Sequence, residues 1–196
     1  MIPSRKKLMA GLALSAAALP ALAHTGHEAY QMSALLSGFA HPFTGVDHLL
    51  AMLAVGFVAA QMKQAVVKLS LSFVGLMLLG GLLGLSGVGL PHVETGIALS
   101  VLVLGGVLLF ARHLPTPAGM ALVGFFAVFH GHAHGSEMAA GMSVALYFAG
   151  FAVGTLSLHL AGFACGHLLQ SKAATWWPGM IGASTAGAGA MLLIGG

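Results

Sequence analysis

Charge is what this chain has least of: of 196 residues, 7 are Lys or Arg and 4 are Asp or Glu. A soluble domain carries about a quarter charged residues. Here 6% charged residues, 58% hydrophobic residues and a mean hydropathy of +0.98 exclude a water-facing surface over most of the chain and place it in the membrane class. Cysteine is nearly absent, and the lone Cys165 excludes an intramolecular disulfide. The sequence has no G-x-x-x-x-G-K-S/T loop and no soluble segment large enough to hydrolyse ATP, so it encodes no energy-coupling module. It also lacks an H-E-x-x-H pair and any nucleophile arrangement, which argues against an intramembrane zinc hydrolase and against an enzyme in general. Basic side chains beyond residue 23 are Lys63, Lys68, Arg112 and Lys172, balanced by Glu28, Asp47, Glu94 and Glu137, so no basic face is left to hold nucleic acid.

What is present begins with Arg5, Lys6 and Lys7, followed by the apolar run 8–19 and the stretch "PALA" ending at Ala23. A basic start, a short apolar core and a small-x-small site predict a signal peptide over residues 1–23, cleaved to leave a mature chain 24–196 that begins with His24 outside the cytoplasmic membrane. Six apolar stretches follow, at about 35–60, 69–90, 95–111, 118–134, 139–163 and 178–194, joined by short loops. The expected fold is therefore an all-α integral membrane protein, a six-transmembrane-helix bundle forming one transport domain with the lipid bilayer as its partner. Lys63, Lys68, Arg112 and Lys172 fall after the first, third and fifth stretches. By the positive-inside rule those loops are cytoplasmic and both ends of the mature chain lie outside.

Histidine is the polar exception, with 11 residues, as many as all formal charges together. The purely apolar part of the fourth stretch, 118–129, is about 18 Å long as a helix, too short for about 30 Å of hydrocarbon. To cross, that helix must absorb "HGHAHGSE", 130–137, which sets imidazoles in the outer half of the membrane. The same arithmetic puts His41 about 9 Å and Asp47 about 18 Å from the outer end of the first stretch. Ionisable groups at such depth usually face the bundle interior, a partner or a water-filled path. His41 and His48 are seven residues apart, and Pro42 and Gly45 permit a kink that lets them converge. Asp47 either completes that site through the distortion or fixes an imidazole from behind. His130, His134 and Glu137 share one helix face, whereas His132 points elsewhere, toward the mouth. His92 and Glu94 flank the outer end of the third stretch, as a cation vestibule or an ordinary wet helix end. Imidazole with carboxylate suits a borderline divalent ion such as nickel, cobalt or zinc. For His113, His159 and His167 a hydrogen bond to a neighbouring carbonyl is the better expectation.

Two motifs carry a family resemblance. "HPFTGVDHLLAM", 41–52, resembles the signature of the HupE/UreJ family of nickel and cobalt permeases, and "FHGHAHGSE", 129–137, is similar to its second motif. The similarity covers essentially the mature chain. It implies secondary or channel-like uptake of Ni(II), with Co(II) as an alternative cargo, across a bacterial inner membrane, in a multi-pass protein with periplasmic termini. It also implies that His41, Asp47 and His48 are essential, that His130 and Glu137 are important, and that the cargo serves hydrogenase or urease maturation rather than a resident cofactor. A metal exporter with the same ligands and a haem- or quinone-binding subunit are the alternatives.

Small residues recur at helical spacing: Gly80 and Gly84, Gly150 and Gly154, and Gly182, Ala186 and Ala190. Such ridges permit close helix contact, within one chain or in a homo-oligomer, and the sequence leaves both open. Trp176 and Trp177 read as an interfacial anchor before the last stretch.

Overall fold

The structure, a computed structural model, describes residues 34–62, 65–139, 141–171 and 175–195. The expected signal peptide, its cleavage at His24, and Lys63 and Lys172 lie outside the described residues. Among the described residues every regular element is helical: α1 (Ala34–Ala40), a 3-10 turn (His41–Phe43), α2 (Val46–Gln61), α3 (Val66–Leu85), α4 (Val93–Val107), a second 3-10 turn (Ala111–His113), α5 (Thr116–Glu137), α6 (Val144–Ser171) and α7 (Trp177–Gly195).

Local chemistry sets these boundaries. Pro42 sits in the 3-10 turn and Gly45, in extended conformation, caps α2, so the first stretch is broken and its two halves meet at 79°. Helix α3 stops at Leu85, short of the expected 90, because Gly87 adopts a φ of 72°. The Gly87 amide then donates to the Gly84 carbonyl and the Val88 amide to the Leu83 carbonyl, closing the helix end in a Schellman motif. Helix α5 opens with Pro117 in its first turn, where the missing amide costs nothing, and runs unbroken through Glu137. The imidazole segment is thus helical. Helix α6 begins at Val144 rather than 139 and continues to Ser171, which takes in Cys165 and His167.

Among the described residues three helices are long and apolar enough to cross a membrane, Val66–Leu85, Val144–Gln170 and Trp177–Gly195, and the bent pair Ala34–Phe43 and Val46–Gln61 makes a fourth if it counts as one span. Helix α4, with 15 residues, is about 22 Å long. Helix α5 has 22 residues, but its last third is the imidazole segment.

Glycine holds the helices together. A Cβ on Gly80 or Gly84 would strike the carbonyls of Val128 and His132, and one on Gly131 or Gly135 those of Met77 and Gly81, so α3 and α5 lie backbone to backbone. The same device joins α2 to α6 through Gly56 and Gly162, α4 to α7 through Gly105, Gly182 and Gly189, and α1 to α6 through Gly150 and Gly154. The small-residue ridges are therefore used inside the chain. Met52, Leu69, Phe73, Leu104 and Phe151 fill the interior, while Leu71, Leu82, Phe125 and Val153 stand exposed on outer faces that suit lipid. The tryptophans separate: Trp176 is exposed, as an anchor requires, but Trp177 is buried with its ring 5.7 Å from that of Phe57. Trp177 is a packing residue, because α7 turns it inward at its first position.

Candidate metal centre

The break in the first stretch and the C-terminal half of α5 meet. His41 projects from the 3-10 turn and His48 from the first turn of α2, while His130 and His134 come from α5, one turn apart. His134 is central: its ring centroid lies 4.3 Å from that of His41 and 4.5 Å from that of His48. The His48 ring is in turn 4.7 Å from that of His130. Glu137, one turn beyond His134, closes one side, and a ligand atom from each of His41, His134 and Glu137 lies within 4.8 Å of the other two. His48, His130 and His134 are buried, His41 is partly buried and Glu137 is exposed.

The glycines explain the convergence. In "HGHAHG" Gly131 and Gly135 are pressed on the α3 backbone, and a helix advances about 100° per residue, so the imidazoles cannot share their direction. His130 and His134 turn to α2 and the 3-10 turn, and His132 turns away, its Nε2 lying 2.7 Å from the Val88 carbonyl.

Three of the four imidazoles, those of His48, His130 and His41, have a polar partner at one ring nitrogen. Asp47 Oδ1 accepts from His48 Nδ1 at 2.8 Å and from the His48 backbone amide at 2.7 Å, leaving His48 Nε2 buried without a partner. Asp47 therefore acts on the cluster through His48 in this arrangement, fixing its tautomer. Ser100 on α4 donates its hydroxyl to the Ile97 carbonyl, so His130 Nε2–H donates to Ser100 Oγ at 2.9 Å and His130 Nδ1 is left over. The Tyr147 hydroxyl lies 3.3 Å from His41 Nδ1. Both nitrogens of His134 are buried and unpartnered, and its ring packs 4.3 Å from that of Phe151. Buried polar atoms normally find partners, so four unpartnered imidazole nitrogens on three adjoining rings mark a place where another species must complete the bonding. The donor set, nitrogens with nearby carboxylates, fits a borderline divalent cation.

Next to the cluster, Asp47 also lines a cavity of about 650 Å³ shared with Glu94, Thr95 and Ala98 of α4 and Met191 of α7. Glu94 thus faces the same space as Asp47, in a cavity otherwise lined mostly by apolar side chains. His92 is exposed at the left-handed N-cap of α4, with a φ of 56°. Among the described residues His92 and His132 are not drawn into the imidazole cluster. Sequence reasoning missed Ser100 and Tyr147. The available signal was a lone serine within the apolar run of α4 and a tyrosine in the first turn of α6, in a chain with 2 tyrosines.

The fold and this cluster define a class: a helical membrane protein with a cluster of imidazoles, and a carboxylate beside it, of the kind that holds a metal ion. The chain belongs to the HupE/UreJ family, whose description, HupE / UreJ protein, matches residues 12–192. It is also 43% identical over 183 residues to Protein HupE of Rhizobium leguminosarum bv. viciae, a similarity covering 93% of this chain and 95% of that one. Members of the family are transporters and not enzymes. Family membership and the cluster of His41, His134 and Glu137 together support a metal-binding transport role. No solved structure matches the chain.

Proposed function

We propose that this protein takes up Ni(II), with Co(II) as the alternative cargo, across a bacterial inner membrane through the intramembrane path built by Asp47, His48, His41, His130, His134 and Glu137. The observation that carries the reading is the cluster of unpartnered imidazole nitrogens, with Asp47 reaching from His48 to a cavity that also holds Glu94. In this reading the cavity at Glu94 and Asp47 gathers the cation, and the imidazoles replace its water ligands. Six crossings are proposed, with α1 and α2 as one broken span and α4 completed by the turns at its ends. Lys68 and Arg112 are exposed at the end of the helices opposite the imidazole cluster, which supports a cytoplasmic position for them and a periplasmic one for the cluster and both termini.

A broken helix is a common way to offer polar groups to an ion within a membrane. With the interior negative, a divalent cation gains about 4.6 kcal/mol per 100 mV on entering, so potential alone can sustain uptake. Uptake of radiolabelled nickel by intact cells, with cobalt, zinc and magnesium as competitors, tests function and direction together. Inward transport suppressed by excess cobalt but not by magnesium is expected; transport outward, or none, refutes the reading. Intact-mass analysis of the purified protein is expected to show a chain beginning at His24, and a C-terminal reporter active only in the cytoplasm is expected to stay silent.

A further inference from the structure

The uptake reading uses the imidazoles at one end of the bundle and leaves one fully buried histidine unused. His159 on α6 is completely inaccessible, its Nδ1 lies 3.1 Å from the hydroxyl of Ser70 on α3, and its Nε2 has no partner. Two helices fix its depth independently. On α6 it lies eight residues, about 12 Å, beyond Phe151, whose ring packs on His134. On α3, Ser70 lies seven residues, about 10 Å, from Met77, which is level with the His130 turn because Gly131 packs on the Met77 carbonyl. Both displacements run toward the Lys68 end.

The packed interior between the two levels is formed by one face from each helix. Ser70, Phe73 and Met77 share a face of α3, and Thr155 and His159, one turn apart, share a face of α6. All five are buried. The Phe73 ring stands between the two histidine levels, with its centroid 6.0 Å from that of His130 and 5.1 Å from that of His159. Beside it, the Thr155 hydroxyl approaches the Met77 sulfur at 3.8 Å. The hydroxyl and the thioether satisfy each other, which leaves the His159 imidazole nitrogen as the free donor at this level, a ligand type suited to a borderline divalent cation.

Resting on the uptake reading, we propose that His159 Nε2, oriented by Ser70, is a second binding station for the transported cation, separated from the outer imidazole cluster by Phe73. An ion that has left the outer nitrogens needs a replacement ligand before it reaches water at the far end, and an intramembrane imidazole with a free nitrogen supplies one. The station acts on translocation and not on capture.

The test compares His159→Asn with the wild type. The asparagine amide can keep the hydrogen bond to Ser70 while the ligand nitrogen is gone. Expected are initial rates of nickel uptake at least tenfold lower at equal membrane level, with Co(II) binding by the purified protein, read from its visible absorption, within twofold of wild type. Uptake within twofold of wild type would overturn the station, and so would a parallel loss of Co(II) binding, which would mean that His159 merely supports the outer cluster. If the asparagine variant does not insert, His159→Cys and His159→Ser decide, since the two differ by one atom but only the thiol is a strong ligand for this cation class. Higher uptake by the cysteine variant supports the station, and equal uptake or higher uptake by the serine variant overturns it. Absence of uptake by the wild type would refute transport itself, a failure distinct from wild-type behaviour of the asparagine variant.

Discussion

Two helix pairs in this protein are built by the same device and do different work. Helices α3 and α5 meet through Gly80, Gly84, Gly131 and Gly135, and α4 and α7 meet through Gly105, Gly182 and Gly189, in each case so closely that an added Cβ would strike backbone. On α5 the glycines alternate with histidines, and pressing one residue type on α3 aims the other at α2 and the 3-10 turn. On α7 the residues between the glycines are small or apolar, and the pair buries no imidazole. Close approach of helices is therefore a packing solution in both places. On α5 the residues between the glycines carry imidazoles, and in the proposed reading that makes this seam a functional one as well.

The sharpest way to break this comparison is to pry each seam apart. Gly131→Val places a branched side chain against the Met77 carbonyl, and overpacking of this kind costs about 1–3 kcal/mol or more. Membrane fractions are expected to hold much less folded protein, and whatever survives should transport poorly per molecule. Gly105→Val should reduce folded protein similarly while leaving the surviving molecules closer to normal rates. Equal losses per molecule in the two variants would show that the seams do not differ in function.

A second group of changes leaves the seams alone and removes the groups they aim. Asp47→Asn takes away the charge that fixes His48 and should lower the initial rate of nickel uptake about 10- to 100-fold with protein level unchanged. His134→Ala and His130→Ala should fall in the same range or below it. Near-normal uptake by all three, normalised to inserted protein, would remove the proposed path.

Gly45→Val probes the break between α1 and α2. Gly45 has an ordinary extended backbone, so the substitution acts by crowding: a Cβ there would lie 2.7 Å from Asp47 Oδ1 and 3.1 Å from His48 Nδ1. Uptake should drop severely while the protein remains in the membrane, and wild-type uptake at equal level counts against the site geometry.

The smallest effects belong to residues that orient or stand aside. Ser100→Ala removes one hydrogen bond to His130 and should cost about threefold to tenfold in rate, as expected for a single bond. His132→Ala frees the loop at Val88 and should lower thermal stability by about 0.5–1.5 kcal/mol with less effect on transport. His113→Ala, exposed beside Arg112 at the far end, should transport normally. A severe loss in His113→Ala together with none in His130→Ala would place the route at the wrong end of the helices.

The sequence by itself determined the membrane class, because 11 charges in 196 residues admit no other surface, and it located the helical stretches though not their ends, the break at Pro42 and Gly45 and the shared face of His130, His134 and Glu137. These are local properties, readable from composition and from a period of 3.6 residues. Even the need for α5 to absorb its imidazoles followed from length alone, and the helix does run through Glu137. Which nitrogen meets which partner was decided by the tertiary structure. Ser100 reaches His130 across 30 residues, Ser70 reaches His159 across 89 and Tyr147 reaches His41 across 106. Trp177 likewise changed from expected anchor to core when α7 met Phe57. No periodicity reports such pairs, since their distance depends on how separate helices approach, and that approach was set by glycines whose absent side chains let backbone touch backbone.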